Sequence, residues 1–174
     1  MAKRRNPISP GDVYIAQVPD GRFGAIRVLQ SKERHHLIYT CDYLDASSPA
    51  LTDVALRRCL VRNRFSWKGE PALWWVRGNL PKGLTSIGVL PLNTAEAAMT
   101  SPSHGFWDLS CAHEAWLDWR WIHDRPTFER EREIERAREA EEARLRALAQ
   151  KPKQMIEGGR LLGDHRPAQL EPHR

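Results

Sequence analysis

Cysteine is scarce in this sequence, and long apolar runs are missing. Cys41, Cys59 and Cys111 are an odd number at wide spacing with no Cys-x-x-Cys. That excludes a paired-cysteine framework and reads as reduced thiols in a cytoplasmic protein. No run of about eighteen apolar residues occurs, and Met1-Ala2-Lys3-Arg4-Arg5-Asn6-Pro7 lacks the apolar core of a signal peptide. Neither membrane insertion nor secretion is expected. A Gly-rich phosphate loop of either standard form and a Gly-x-Ser-x-Gly elbow are also missing. Cys111-Ala112-His113-Glu114 offers a thiol near an imidazole, but on a strand Cys111 and His113 would merely share a face, and no second ligand pair follows. No catalytic residue, metal site or cofactor is therefore expected. Hydrophobic residues make up 41% of the chain, below the usual ~45–50%, and the shortfall sits mostly after Pro126.

What is present begins with a hairpin. In Gly11 to Leu29, Val13, Tyr14, Ile15 and Val18 are strand formers, and Phe23, Ile26, Val28 and Leu29 answer them across Pro19-Asp20-Gly21. Pro19 presets φ, Asp20 bonds local amides and Gly21 accepts positive φ, which suits a tight turn. Gly24 inside the second strand predicts a bulge or a close approach of another backbone. If Ile26 and Val28 face a core, alternation puts Arg27 on the other face with Ala25 and Phe23, as a solvated residue or as part of a binding face.

Residues 36–43 predict a third strand, in which Leu37, Tyr39 and Cys41 alternate with Ile38, Thr40 and Asp42; His35 and His36 then point to opposite faces and share no metal. Residues 52–59 suit a short helix with Leu51, Ala55, Leu56 and Cys59 on one face. Around it the text is basic and aromatic: Arg57, Arg58, Arg62 and Arg64, then Phe65 and Trp67. Such interleaving suits a surface for an acidic protein or a single-stranded nucleic acid. It equally suits an amphipathic helix leading to a charged edge strand. Ala72 to Arg77 predicts a strand that sends Trp74 and Trp75 to opposite faces, one of them outward as an interface anchor or covered by the C-terminal segment. Residues 83–91 read as another short strand, and 93–104 as a loop with one helical turn at 94–99. Trp116 to Ile122 fits a strand by alternation, while Ala112, Trp116, Trp119 and His123 would line a helix. The strand is favoured, because Asp124 as N-cap and Pro126 in the first turn signal a new helix start. Phe128 to Gln150 is helical by propensity and by Glu-to-Arg spacing, with too few apolar residues for a core face.

The formal charge is +5. Residues 1–125 carry 16 Lys+Arg against 12 Asp+Glu, residues 126–150 carry 6 against 7, and residues 151–174 carry 5 against 3, so the excess belongs to the body of the chain. Four parts are expected: a basic extended arm (1–10), a β-rich domain (11–125), a solvated helix (126–150) and a disordered tail (151–174).

The hairpin, together with Tyr39 to Tyr43, Trp74-Trp75-Val76, Ser86 to Pro91 and Trp119 to Arg125, resembles the immunity protein 26 family of bacterial polymorphic-toxin loci, over about residues 10–125. The resemblance implies a non-catalytic immunity protein that binds and neutralises a cognate toxin. An acidic toxin surface would suit Arg57, Arg58, Arg62, Arg64, Trp67, Trp74, Trp75 and Arg27 as partner-binding residues. The PemK and MazF-type RNA-cleaving toxins also open with a Gly-Asp hairpin, and they supply the alternative of a toxin-like or nucleic-acid-binding small barrel. Their Gln-x-Gly-x-Arg-Pro-Ala segment is not reproduced here: Arg27 has no following Pro and no nearby acid-base partner. The expected fold is mainly β (α+β), a strongly twisted antiparallel sheet or small barrel followed by one long charged C-terminal helix.

Overall fold

The computed structural model describes residues 7–149; most of the expected basic arm and all of the expected tail lie outside them. The described residues divide into two compact units, with the division between Phe128 and Glu129.

The first unit is built on a six-stranded sheet. Strands β1 (Asp12–Gln17), β2 (Phe23–Lys32) and β3 (His35–Asp45) form a meander, followed by β4 (Leu73–Arg77), β5 (Thr85–Val89) and β6 (His104–Phe106). The order is β5-β1-β2-β3-β4-β6. All neighbours are antiparallel except β4 and β6, which run parallel. Since β5 and β6 occupy opposite edges, the sheet is open, and the small barrel expected as one alternative is not formed. The hairpin turn follows its sequence signals. Gly21 has φ 90°, its N–H donates to Val18 O at 2.9 Å, and the Asp20 carboxylate accepts from the Arg22 amide and guanidinium.

Both faces of the sheet are covered, which explains why the central strands are apolar in consecutive rather than alternate positions. On one face Val13, Ile15, Ala25, Leu29, Leu37, Tyr39 and Cys41 pack with Ala55 and Leu56 from a 3-10 turn, Val54–Arg57, and with Leu90, Leu92 and Met99. On the other, Tyr14, Ile26, Val28, Ile38 and Val76 pack with Trp107, Cys111 and Ala112. His35 is exposed and His36 buried, as strand alternation requires. Burial holds the His36 imidazole below its ordinary pKa.

Residues 116–122 are helical, against the expected strand: they belong to α2 (Ser110–His123). Cys111, Ala112, Ala115, Asp118 and Arg120 are its buried positions, and the small side chains of the first three let the helix backbone rest on the sheet. At Gly24 a Cβ would stand 1.9 Å from Ala112 O, so the glycine is required by the close approach of α2; the strand register also shifts between Gly24 and Ile26. A short helix, α1 (Thr94–Ala97), opens with an Asn93/Glu96 capping box. The expected helix start at Asp124 is realised in α3 (Arg125–Ala149); a hydrogen bond from the Thr127 side chain holds the Asp124 carboxyl below the usual range. In the second unit, Glu135–Arg138 and Glu142–Arg146 pair at 3.6 and 3.5 Å, while Ile134, Leu145 and Leu148 are exposed. Among the described residues no helix is long and apolar enough to cross a membrane.

Candidate protein-binding surface

Residues 54–71 form a strap that leaves the 3-10 turn, runs beside β3 and returns toward β4. Its backbone is held by Asp42 N–H to Arg58 O, Leu60 N–H to Thr40 O and Ala72 N–H to Leu60 O, all within 2.8–2.9 Å. Arg62 N–H donates to Glu70 O and Gly69 N–H to Arg62 O, both at 2.9 Å, which closes residues 62–70 into a tight loop. Within it Phe65 has φ 56°, a left-handed conformation that costs an ordinary residue about 1–2 kcal/mol. The ring gains company in return: it lies 5.9 Å from Trp67, 4.7 Å from Trp121 and 6.2 Å from Phe128.

The predicted basic residues separate sharply in this frame. Arg62 bonds Glu70 at 3.2 Å and places its guanidinium 5.2 Å from the centre of the Trp67 ring, within cation–π range. Trp67 is 42% exposed. Arg57 and Arg58 lie at the other end of the strap, half-exposed and exposed, where Arg57 reaches Glu96 at 3.3 Å and Arg58 reaches Asp42 at 3.5 Å. Asp42 and Glu70 are exposed carboxylates, and pairs of this kind contribute about 0–1 kcal/mol and exchange readily, whereas the Glu96 that Arg57 reaches is buried.

Arg64 and Arg27 are corrections to the surface reading. Arg64 is only 2% exposed; it bonds Asp118 at 2.5 Å and Glu114 at 2.7 Å, tying the strap to α2. Asp118 also accepts from the Asn63 amide at 2.5 Å. Arg27 is fully buried. It does share a face with Ala25, as alternation predicted, but that face is covered. Its guanidinium binds the Glu96 carboxylate and donates to Leu90 O at 2.6 Å, Pro91 O at 2.9 Å and Tyr39 Oη at 3.2 Å. It thereby fastens residues 90–96 to the sheet. Trp74 and Trp75 do point to opposite faces, yet neither is outward: Trp74 packs with the α2 side, and Trp75 with the other cluster. Each is half-buried, and the Lys32 ammonium lies 5.5 Å from the Trp75 ring centre.

A second aromatic surface, not visible from the expected strand, arises because residues 116–122 are helical. As a helix they set Trp116 Nε1 2.9 Å from Asp20 and the Trp119 ring 4.0 Å from the Arg22 guanidinium, joining α2 to the hairpin turn. The residues that would line a helix, Trp116, Trp119 and His123, carried that signal. The Asp20 carboxyl is held below its ordinary pKa, chiefly by its hydrogen bond from Arg22. An open groove of about 1160 Å³ lies elsewhere, between the 78–84 loop and residues 7–9, with Tyr14, Asp12 and His36 along it. Among the described residues no three His, Cys, Asp or Glu side chains gather as a metal ion would need.

Compared with protein-family models, with curated proteins and with solved structures, the chain matches none.

Proposed function

We propose that this chain is a non-catalytic binding protein that neutralises a cognate bacterial toxin in the cytoplasm, engaging an acidic surface of it through the 54–71 strap. The reading takes the sheet to be strongly twisted and α3 to be a charged, solvated helix. Its family basis is the resemblance to immunity protein 26 proteins. The observation that carries the choice of surface is Trp67, a large ring 42% exposed with the Arg62 guanidinium 5.2 Å from its centre. Aromatic and Arg side chains are the residues that dominate protein interfaces. Val61 on the same strap is also exposed. Partner carboxylates can replace Glu70 and Asp42 as acceptors for Arg62 and Arg58 at little net cost.

Burial of Arg27 weighs against the RNA-cleaving alternative, since the arginine on which that reading rests has no exposure for a phosphate to reach. The open sheet weighs against a toxin-like barrel.

The test is binding to the toxin-like protein encoded beside this gene, measured for Trp67→Ala and Arg62→Ala with circular dichroism as a folding check. Each variant should lose about 2 kcal/mol or more of affinity, roughly thirtyfold. Unchanged affinity in both well-folded variants would remove the strap as the interface.

A further inference from the structure

The three cysteines gave no pairing in the sequence, where Cys41 and Cys59 stand eighteen positions apart. The fold sets these two opposite each other. They form an isolated antiparallel bridge between β3 and the strap. The backbone bonds lie at the flanking residues, Asp42 N–H to Arg58 O at 2.8 Å and Leu60 N–H to Thr40 O at 2.9 Å. That pattern marks a non-hydrogen-bonded pair, the closer of the two antiparallel arrangements, with Cα atoms about 4.5 Å apart. A disulfide accepts Cα separations of about 4.4–6.8 Å, so the backbone already stands within range. Opposed residues of such a pair also project to the same face. Both thiols do so: Cys41 is a fully buried member of one core cluster, and Cys59 packs on that cluster's margin. Cys111 belongs to the cluster on the opposite face of the sheet and is out of reach of either.

We propose that Cys41 and Cys59 are a redox-modification site that reacts with a low-molecular-weight disulfide of the glutathione class and closes to an intramolecular cross-strand disulfide. Cys59, the less deeply buried thiol, enters first. It loses its proton, and its thiolate attacks one sulfur of the small disulfide; that S–S bond breaks, and the departing thiolate takes up a proton. The Cys41 thiolate then attacks the Cys59 sulfur and displaces the second small thiol, which is protonated in turn. Two protein thiols are oxidised, one small disulfide is reduced to two thiols, and protons balance. Burial pushes the Cys59 thiol up to about 11 and raises Cys41 further. The exchange is therefore slow at neutral pH and quickens as pH rises. The bond would close residues 41–59 into a ring and hold the turn that carries Arg57 and Arg58 against β3. This proposal stands on strand register alone and is independent of the toxin-binding reading.

The test incubates the full chain with oxidised glutathione across a mildly alkaline pH series, blocks free thiols by alkylation and maps unreduced peptides by mass spectrometry. The expected product is a linked pair of peptides containing Cys41 and Cys59, lighter by about 2 Da for the two hydrogens lost. Cys111 should be alkylated in the same sample. The urea midpoint should rise on oxidation and return with a dithiol reductant. Cys59→Ser should abolish both the link and the shift, whereas Cys111→Ala should keep both. A stable glutathione adduct on Cys59 without the link, a link to Cys111 or between two chains, or three alkylatable thiols throughout the series would each overturn the proposal.

Discussion

Replacing Arg64 by alanine tests whether the strap is fixed by a buried ion pair or merely decorated by charges. Arg64 and Asp118 each retain 4% or less of their side-chain exposure, and they meet at 2.5 Å. Glu114 adds a second carboxylate at 2.7 Å. Removing the cation leaves Asp118 buried with only the Asn63 amide as donor, and breaking such a pair costs about 3–5 kcal/mol. For a unit of this size that corresponds to a fall in Tm of roughly 12–20 °C, at about 4 °C per kcal/mol. Urea unfolding followed by tryptophan fluorescence measures it directly. Arg62→Ala is the control: its side chain is 15% exposed, but its Glu70 partner is 57% exposed, so no buried charge is left unpaired and about 1 kcal/mol should be lost. In Arg64→Met/Asp118→Leu most of the loss should return, because the buried Asp118 charge is gone; Glu114, 15% exposed and without its cation, and the Asn63 amide, without its acceptor, keep the recovery incomplete. A loss below about 1 kcal/mol for Arg64→Ala with an unchanged m-value would refute the argument. It would mean that Asp118 is solvated, and Arg64 would return to the list of contact residues.

Gly24→Ala should destabilise by about 3 kcal/mol or more, seen as a lower urea midpoint, because the new methyl would meet Ala112 O and the backbone of α2 must move. Phe128→Ala should cost about 3–5 kcal/mol for its buried ring, while Ile134→Ala, at an exposed position, should stay within about 0.5 kcal/mol in the same measurement. Burial lowers the pKa of both His36 and His113 in the folded state. Their contribution is present above the unfolded value of ~6.5 and is lost as pH falls below it, at up to about 1.4 kcal/mol per pH unit for each histidine. Urea midpoints between neutral and mildly acidic pH should therefore decline more steeply in wild type than in His36→Gln/His113→Gln.

Much of the fold was legible because its signals are local. The hairpin turn, the one-turn helix behind Asn93, and the start of α3 at Asp124 are written in residues a few positions apart. Gly24 announced a close neighbour without naming it, since the neighbour is Ala112, far along the chain. The exposure of charges was not legible, because it depends on what covers a strand. Alternation placed Arg27 correctly opposite Ile26 and Val28, but only the whole topology shows that Glu96, Leu90 and Pro91 lie over it. For α2 the sequence held two periodicities at once. Alternating tryptophans suggested a strand, and the small residues Ala112 and Ala115 that let a helix rest on Gly24 had no visible role until the sheet was known.

A sheet covered on both faces restricts where a partner can dock. The central strands offer nothing, so recognition falls to edges, turns and the segments laid over the faces. The positive balance of residues 1–125 is also less available than its count suggests. Arg27 and Arg64 are committed to buried carboxylates, and Arg57 shares the buried Glu96 with Arg27, whereas Arg58 and Arg62 meet exposed carboxylates at the margin of the strap. Charge at such a margin acts mainly on the rate of encounter and is weakened by salt, while an exposed ring governs how long the complex lasts. In the toxin-binding reading, Arg58→Ala should therefore lower the association rate at low ionic strength and converge with wild type as salt rises. Trp67→Ala should raise the dissociation rate at every salt concentration. Stopped-flow association and surface-based dissociation measurements separate the two. If Arg58→Ala instead accelerated dissociation and left association unchanged, Arg58 would be a buried anchor in the complex, and the partner would sit over the 3-10 turn rather than over Trp67.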